Sequence, residues 1–228
     1  MYYEILYKPT HSLAIAHLAA GESVRAEASA MVGMTHNIGV QTQGAAGSGG
    51  LFKGLKRAFL GGESFFTNLF TAQGAAGQVS LAPQLCGDMI VHQLDGHHQL
   101  FIQGSSYVSA PDTVQLDTQF QGFKGFFTGE SLFFLAASGQ GPVLLNAFGA
   151  IEALDVNGEL IIDTGHLVAF TSGIHYEVSK AAEGWISSYL SGEGLVLRVY
   201  GQGRVYLQTR NPSEYGRSVG SKLPPRGN

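Results

Sequence analysis

The stretch IIDTGHLVAF at residues 161–170 brings a carboxylate and an imidazole close together along the chain. Asp163 and His166 flank a Thr-Gly pair, and two such groups can perform general acid–base catalysis. The same side chains can instead cap the backbone of a glycine turn, which requires no ligand. Asp-Thr-Gly also presents the catalytic acid of aspartic proteases, but this chain has one copy, so a symmetric oligomer would have to supply the second. We interpret both residues as turn residues and retain them as pocket candidates.

Three histidines lie around an Asp-Gly pair at positions 95–96. His97 and His98 are adjacent, so in a strand they would point to opposite faces, and at most one could join His92. A metal site needs three or four converging ligands. We therefore predict surface turn histidines, with no metal and no cofactor.

Other catalytic patterns are missing from the sequence. No serine stands in a Gly-x-Ser-x-Gly elbow before a helix, and the Gly-x-Gly pairs at 139–141 and 201–203 precede predicted strands instead of the helix that a phosphate loop requires. Cys86 is the only cysteine, which excludes an intramolecular disulfide. A lone cysteine is usually a small buried apolar group, and we expect a reducing compartment. The sequence predicts a protein that is not an enzyme.

Charge and composition narrow the choice of partners. The net charge of −4 argues against a dedicated nucleic-acid binder. Charged residues are 13% of the chain while 32 residues are glycine, which predicts many tight turns and surface hidden from water by oligomerisation. The N-terminal residues MYYEILYKPT contain Glu4 and lack the apolar core of a signal peptide, so we expect a cytoplasmic protein.

A Gly-Glu pair followed by apolar residues occurs three times, and a second glycine motif follows each pair. The glutamates recur at intervals of 67 and 63 residues, and the later glycines at 64 and 62. One acid at three equivalent places is better explained by turn structure than by catalysis. A ligand held at every repeat interface of a ring is the functional alternative. The predicted structural turn residues are Glu63, Gly77, Glu130, Gly141, Glu193 and Gly203.

These landmarks predict one domain, residues 1–210, made of three repeats. The repeats cover about 10–85, 86–150 and 151–210, and a basic tail follows at 211–228. We expect the tail to be solvated or to lie on a neighbouring subunit.

Within the repeats, apolar residues alternate with a period of two, which predicts an all-β fold. Turns at Asp95-Gly96 and Asn157-Gly158 favour antiparallel hairpins. The uncharged stretch 131–151 is long enough to span a bilayer, but Gly139, Gly141 and Pro142 predict two buried strands joined by a hairpin instead of a transmembrane span.

One helix is predicted, over 51–60, in an insertion after a glycine-rich loop. Leu51, Leu55 and Phe59 share one face, and three basic residues face elsewhere. We interpret it as a helix that covers a sheet edge. Peripheral contact with an anionic membrane is the alternative.

Four stretches resemble the altered-inheritance-of-mitochondria family, a group of mostly uncharacterised proteins, in order from about Tyr3 to Arg210. They are LAAGESVRAEASAMVGM (18–34), GGESFF (61–66), IIDTGHLVAF (161–170) and GQGRVYLQTR (201–210). The resemblance implies a fold like the tryptophan RNA-binding attenuation protein, with three β-sandwich-like repeats of double-stranded β-helix type per chain. It further implies trimers whose nine repeats close a ring. No catalytic residue is established for the family, and its mitochondrial members are linked to inner-membrane organisation.

The leading hypothesis is a non-enzymatic, homo-oligomeric β scaffold that binds a partner or a small ligand at repeat or subunit interfaces, with a homotrimer expected. A ring that binds RNA or a small metabolite is the first alternative, although the chain shows no Lys or Arg recurring in register across the repeats. A scaffold that organises a membrane surface through residues 51–60 is the second.

Overall fold

The computed structural model describes residues 1–43, 67–119, 134–180 and 195–224. In these ranges the chain forms sixteen β-strands and one α-helix, so the predicted all-β class is confirmed. The helix predicted over 51–60 lies outside the described residues, and so do Glu63, Glu130 and Glu193.

The first seven strands are β1 Tyr2–Leu6, β2 Leu13–Leu18, β3 Ser23–Glu27, β4 Met31–Met34, β5 Ile38–Gln43, β6 Thr67–Ala72 and β7 Gly77–Leu81. The next five are β8 Met89–Asp95, β9 Leu100–Gln103, β10 Tyr107–Pro111, β11 Val114–Gln119 and β12 Phe134–Asn146. The last four are β13 Ile151–Asp163, β14 Leu167–Thr171, β15 Ile174–Lys180 and β16 Leu195–Gln208. Helix α1, Pro212–Gly220, follows them, and 3₁₀ turns precede β10 and β14.

The strands form two sheets, and the strand pairs within them are antiparallel. A four-stranded sheet has the order β1-β2-β7-β4. A twelve-stranded sheet runs β13-β16-β14-β9-β12-β10-β3-β6-β5, with β8 and β11 also paired to β12 and β15 to β16. Each of the long strands β12 and β16 therefore pairs with several other strands.

Strand β12 continues without interruption through the glycines where the sequence predicted a hairpin, so that prediction is wrong. Its first half pairs with β9 and β11, and its second half pairs with β8 and β10. The change of partners falls at Gly139 and Gly141, which have φ of 105° and 140°. Glycine adopts such angles readily, so the strand bends between two sets of neighbours without turning back.

The hairpins predicted at the two other glycine pairs are also not formed. Strand β13 continues through Asn157-Gly158 and pairs with β16 over its whole length. Strands β8 and β9, on either side of Asp95-Gly96, both pair with β12 instead of with each other. At these two places the antiparallel pairs thus join strands that do not follow each other directly in the chain, which local turn patterns do not report.

Three clusters of buried apolar side chains make up the core. The buried residues include Val79, Leu81, Val143, Leu145 and Val205, at positions that the period of two predicted. Leu144, between two of them, is also fully buried, so β12 contributes to the core from both faces. Burial of each such side chain contributes about 1.5–3 kcal/mol to stability. The sequence pattern therefore predicts these buried positions even where it does not predict the turns.

The C-terminal tail contains a helix that the sequence analysis missed. Asn211 caps α1, and the ring of Tyr215 packs on Phe148 with centroids 5.2 Å apart. Cys86, expected to be buried, is exposed. Its neighbour Gly87 lies so close to the carbonyl oxygen of Ala147 that a Cβ there would overlap it, so the chain is tightly packed beside an outward-pointing thiol.

Candidate functional site: two unpaired strand edges

Strands β4, β10 and β14 occupy matching places in the sheets. Each pairs with one of the strands β7, β12 and β16, and in each pair the register shifts after the first residue. The matching sets are Met31, Gly33 and Met34; Tyr107, Ser109 and Ala110; and Leu167, Ala169 and Phe170. The three strands differ in what lies on their other side.

Strand β10 pairs on its far side with β3, and β14 pairs on its far side with β9. Strand β4 ends its sheet and, among the described residues, pairs with β7 alone. Its far edge therefore presents backbone N–H and C=O groups to solvent, an arrangement that readily accepts another strand. We call this edge, Met31–Met34, the β4 edge.

The side chains of the β4 edge are apolar and uncovered. Met31, Val32 and Met34 are 41%, 62% and 43% exposed. Their counterparts on β10 and β14 are buried: Tyr107, Val108, Ala110, Leu167, Val168 and Phe170. The difference arises because a neighbouring strand covers β10 and β14.

A second unpaired edge lies at the β13 end of the twelve-stranded sheet. Residues 160–163 of β13 pair with β16 in the same way that β9 pairs with β12 and β3 pairs with β6. Among the described residues, these four residues pair with no strand other than β16. Ile161 in this segment is 42% exposed. We call residues 160–163 the β13 edge. Within the chain, one kind of strand pair forms twice, as β3–β10 and as β9–β14. The β4 edge matches β10 and β14, and the β13 edge matches β3 and β9, but among the described residues neither edge has such a partner.

The internal joint between β9 and β14 shows what such a contact buries. Phe101 lies opposite Phe170 in register, and their rings stack with centroids 5.2 Å apart. Tyr176 packs on Phe170 at 5.5 Å, and its hydroxyl is buried without a hydrogen-bond partner. A cavity of about 360 Å³ opens beside these rings and is also lined by His175 and Tyr200.

The pocket candidates Asp163 and His166 are both engaged with backbone. Asp163 accepts a hydrogen bond from the amide of Gly165 at 2.7 Å and so caps a 3₁₀ turn. His166 donates from Nδ1 to the carbonyl oxygen of Gln208 at 2.7 Å. The side chain of Gln208 in turn donates to the carbonyl oxygen of Gly165. This arrangement fixes the turn before β14.

The three predicted turn histidines lie at two separate places: His92 is within β8, and His97 and His98 follow the end of that strand. His98 donates to Asp95 at 2.7 Å, and this bond, with the amides of His97 and His98, holds the pKa of Asp95 well below its usual range. His92 is hydrogen-bonded to the hydroxyl of Tyr206, and burial, aided by the charge of Arg204, lowers its pKa. Among the described residues, no group of three or more His, Cys, Asp or Glu is placed to hold a metal ion.

The glycines predicted as repeat turns lie in strands instead. Gly77 opens β7, while Gly141 and Gly203 are inside β12 and β16. A Cβ at each would approach a threonine hydroxyl, at 2.9 Å for Gly77 and 2.5 Å for Gly203. The space for a side chain is therefore taken by neighbouring segments of the chain, and close packing explains glycine at the three positions.

The uncovered edges were not found by sequence reasoning, which searched for polar chemistry. A usable signal is present in residues 31–34, MVGM, which lack the charges and prolines that usually protect an edge strand. Among the described residues, no helix is both long and apolar enough to cross a bilayer.

The geometry defines an all-β protein whose most distinctive surface is a pair of complementary strand edges. Comparison with known proteins agrees with the fold: the chain matches the family described as mitochondrial biogenesis AIM24 over residues 3–210 and belongs to that family. It is 28% identical to an uncharacterised protein of Streptococcus pyogenes serotype M6 over 217 residues, 92% of this chain and 86% of that protein. It also resembles the X-ray crystal structure of a Streptococcus pyogenes protein, with a TM-score of 0.79, 26% identity and coverage of 97% and 99%.

Proposed function

We propose that this chain is a non-enzymatic β scaffold that assembles with copies of itself, as a trimer, through its strand edges. The observation that carries the proposal is the exposure of Met31, Val32 and Met34, whose counterparts on β10 and β14 are buried. An uncovered apolar edge without charge or proline attracts other strands. A protein with such an edge needs a partner to cover it.

The proposal includes three internal repeats, each built around one of β7, β12 and β16. The recurring register shift in the pairs β4–β7, β10–β12 and β14–β16 supports this division. So does the joining of successive units by one kind of antiparallel contact, β3–β10 and then β9–β14. Units that bury surface only against neighbours stack readily into extended assemblies.

The proposal that the protein is not an enzyme rests on the hydrogen bonds made by the candidate acid and base side chains. Asp163 Oδ1 accepts from the amide of Gly165 in the turn, His166 Nδ1 donates to the carbonyl oxygen of Gln208 at the end of β16, and the two side chains are not hydrogen-bonded to each other. Asp95 bonds its own turn and His98. These side chains stabilise loops between strands, where a catalytic pair would instead face a common reacting atom.

The mass of the protein in solution tests the assembly. Light scattering after gel filtration is expected to give about three times the chain mass of 24.2 kDa. Met34→Asp places a charge on the β4 edge and is expected to reduce the mass to that of one chain. Val91→Asp, at a similarly exposed position on β8, is the matched control and should keep the wild-type mass. A wild-type mass of 24.2 kDa contradicts the proposal.

A further inference from the structure

We infer that this protein binds a small carboxylic acid with an apolar body in a cavity between helix α1 and the loops that precede β2, β8 and β13. The volume of the cavity, about 560 Å³, lies in the usual range of ligand sites in proteins. Phe148 and Tyr215 form its apolar wall, and Arg210 provides the positive charge for the acid. These residues belong to one chain, so the inference does not depend on the proposed self-assembly.

The cavity lies where four separate segments of the chain meet. They are residues 10–11, Cys86, residues 148–149 and residues 210–218. These segments coincide with the boundaries of the three predicted repeats. A single repeat would therefore not contain the site, which requires the whole chain.

Backbone hydrogen bonds hold three of these segments against one another. The amide of Gly149 donates to the carbonyl oxygen of Cys86 at 3.2 Å. The amide of Arg210 donates to the carbonyl oxygen of Phe148, also at 3.2 Å. The lining is thus formed before a ligand arrives, and binding requires little ordering of the backbone.

Aromatic surface faces the cavity on the side of α1. The rings of Phe148 and Tyr215 pack with their centroids 5.2 Å apart and their planes at 57°. Tyr215 is nevertheless 58% exposed, so much of its surface is not covered by the protein. An apolar body placed against these rings removes aromatic surface from water, which favours binding by about 25 cal/mol per Å².

Arg210 differs from other arginines of the chain in lacking a carboxylate partner. Arg25, Arg198 and Arg204 each contact a carboxylate of this chain at 2.6–2.7 Å. Nη1 of Arg210 donates to the carbonyl oxygen of Thr209, while its Nε and Nη2 have no hydrogen-bond partner among the described residues. Arg204 uses the same two atoms to hold its carboxylate. The guanidinium of Arg210 is thus available for a bidentate pair with an acid.

Glu214 lines the same cavity and has a separate role. It stands in the first turn of α1, where the positive end of the helix dipole stabilises a carboxylate. Its negative charge opposes the binding of an acid and would favour a cation. Removal of this charge should therefore strengthen the binding of a carboxylic acid and weaken that of a cationic ligand.

The thiol of Cys86 provides a measurement of occupancy in the full chain. It lines the cavity, is exposed, and belongs to the only cysteine. Octanoate and phenylacetate are the probes, and octanamide and phenylacetamide are their uncharged counterparts. The acids are expected to slow the alkylation of Cys86 by N-ethylmaleimide several-fold, as measured by mass spectrometry, and to raise the melting temperature. The amides should have much weaker effects.

Three variants test the assigned roles. Arg210→Gln should raise the acid concentration needed for half-maximal protection by about tenfold, because a charge-assisted pair is lost. Glu214→Gln should lower that concentration. Lys222→Gln removes a cation of the same tail that does not line the cavity, and it should behave as wild type.

Three results would overturn the inference. Neither acid may protect Cys86 or raise the melting temperature, even at millimolar concentration. Equal protection by acids and amides, unchanged in Arg210→Gln, would show that the charge of Arg210 is not used. Protection that is lost in Glu214→Gln and retained in Arg210→Gln would assign the cavity to a cationic ligand. A monomeric mass by light scattering would remove the proposed self-assembly and leave this site unaffected.

Discussion

Gly158 of β13 lies directly opposite Gly201 of β16, and both have a positive φ, 131° and 121°. These two long strands therefore change direction at the same point without losing their register. Gly201 has a further constraint, because a Cβ there would meet the carbonyl oxygen of Gly173. Gly158 has open space around it.

Replacing each of these glycines by alanine should separate backbone strain from crowding. Gly158→Ala is expected to lower the free energy of unfolding by about 1–3 kcal/mol, since only the positive φ is strained. Gly201→Ala should cost about 1–3 kcal/mol more because the strand must also move away from the carbonyl of Gly173. Urea denaturation of the two variants measures the difference. Equal losses would contradict the role assigned to crowding.

Two tyrosines differ in whether their hydroxyl groups are satisfied. The fully buried Tyr107 donates to the carbonyl oxygen of Arg25 at 2.9 Å, whereas the hydroxyl of Tyr176 is buried without a partner. Tyr107→Phe should lower the free energy of unfolding by about 0.5–1.5 kcal/mol. Tyr176→Phe should leave it unchanged or raise it, because no hydrogen bond is lost. Urea denaturation of both variants tests this, and a larger loss for Tyr176→Phe would be the contrary result.

Glu27, the last residue of β3, should make stability depend on pH. Burial raises its pKa from 4.5 to about 7. Folding therefore favours the protonated form, and this contribution is fully present below pH 4.5 and lost as pH rises through about 7. Glu27→Gln should raise the urea midpoint relative to wild type at pH 8, with the difference shrinking toward pH 4.5. Glu152→Gln, at an exposed site on β13, is the control and should show no such trend.

The cap of helix α1 offers a local test of the tail. The side-chain oxygen of Asn211 accepts hydrogen bonds from the amides of Ser213 and Glu214. Asn211→Ala should destabilise the helix by about 1 kcal/mol. Hydrogen exchange in the last residues of α1 is expected to accelerate several-fold while exchange in β12 remains unchanged. Unaltered exchange in the tail would show that packing of Tyr215, and not the cap, holds the helix.

The sequence predicted strand content better than strand pairing. Alternating residues such as Val79 and Leu81 report a buried face, because side chains in a strand alternate between its two sides. In the sequence, Gly139 and Gly158 favour hairpins because a positive φ is typical of turns. In the structure, both have a positive φ at a bend inside a continuous strand. Only the partners of each half of the strand distinguish the two cases, and those partners lie far away in the chain.

The helix in the tail and the β4 edge were missed for different reasons. Asn211 followed by Pro212 is a standard start of a helix, a signal that was present and overlooked. Exposure of Met34 is not encoded locally, since Phe170 on the matching strand is equally apolar and buried. Its exposure accompanies the position of β4, which pairs only with β7 among the described residues, whereas β14 is also paired with β9.

The β3–β10 and β9–β14 joints are each formed between strands of a single chain. Tethered segments meet at an effective concentration on the order of millimolar, whatever the amount of protein present. A joint between separate copies has no tether and obeys mass action. In the proposed assembly, dilution would therefore separate copies long before it opens a chain, and the β4 edge would make the state of assembly depend on the abundance of the protein.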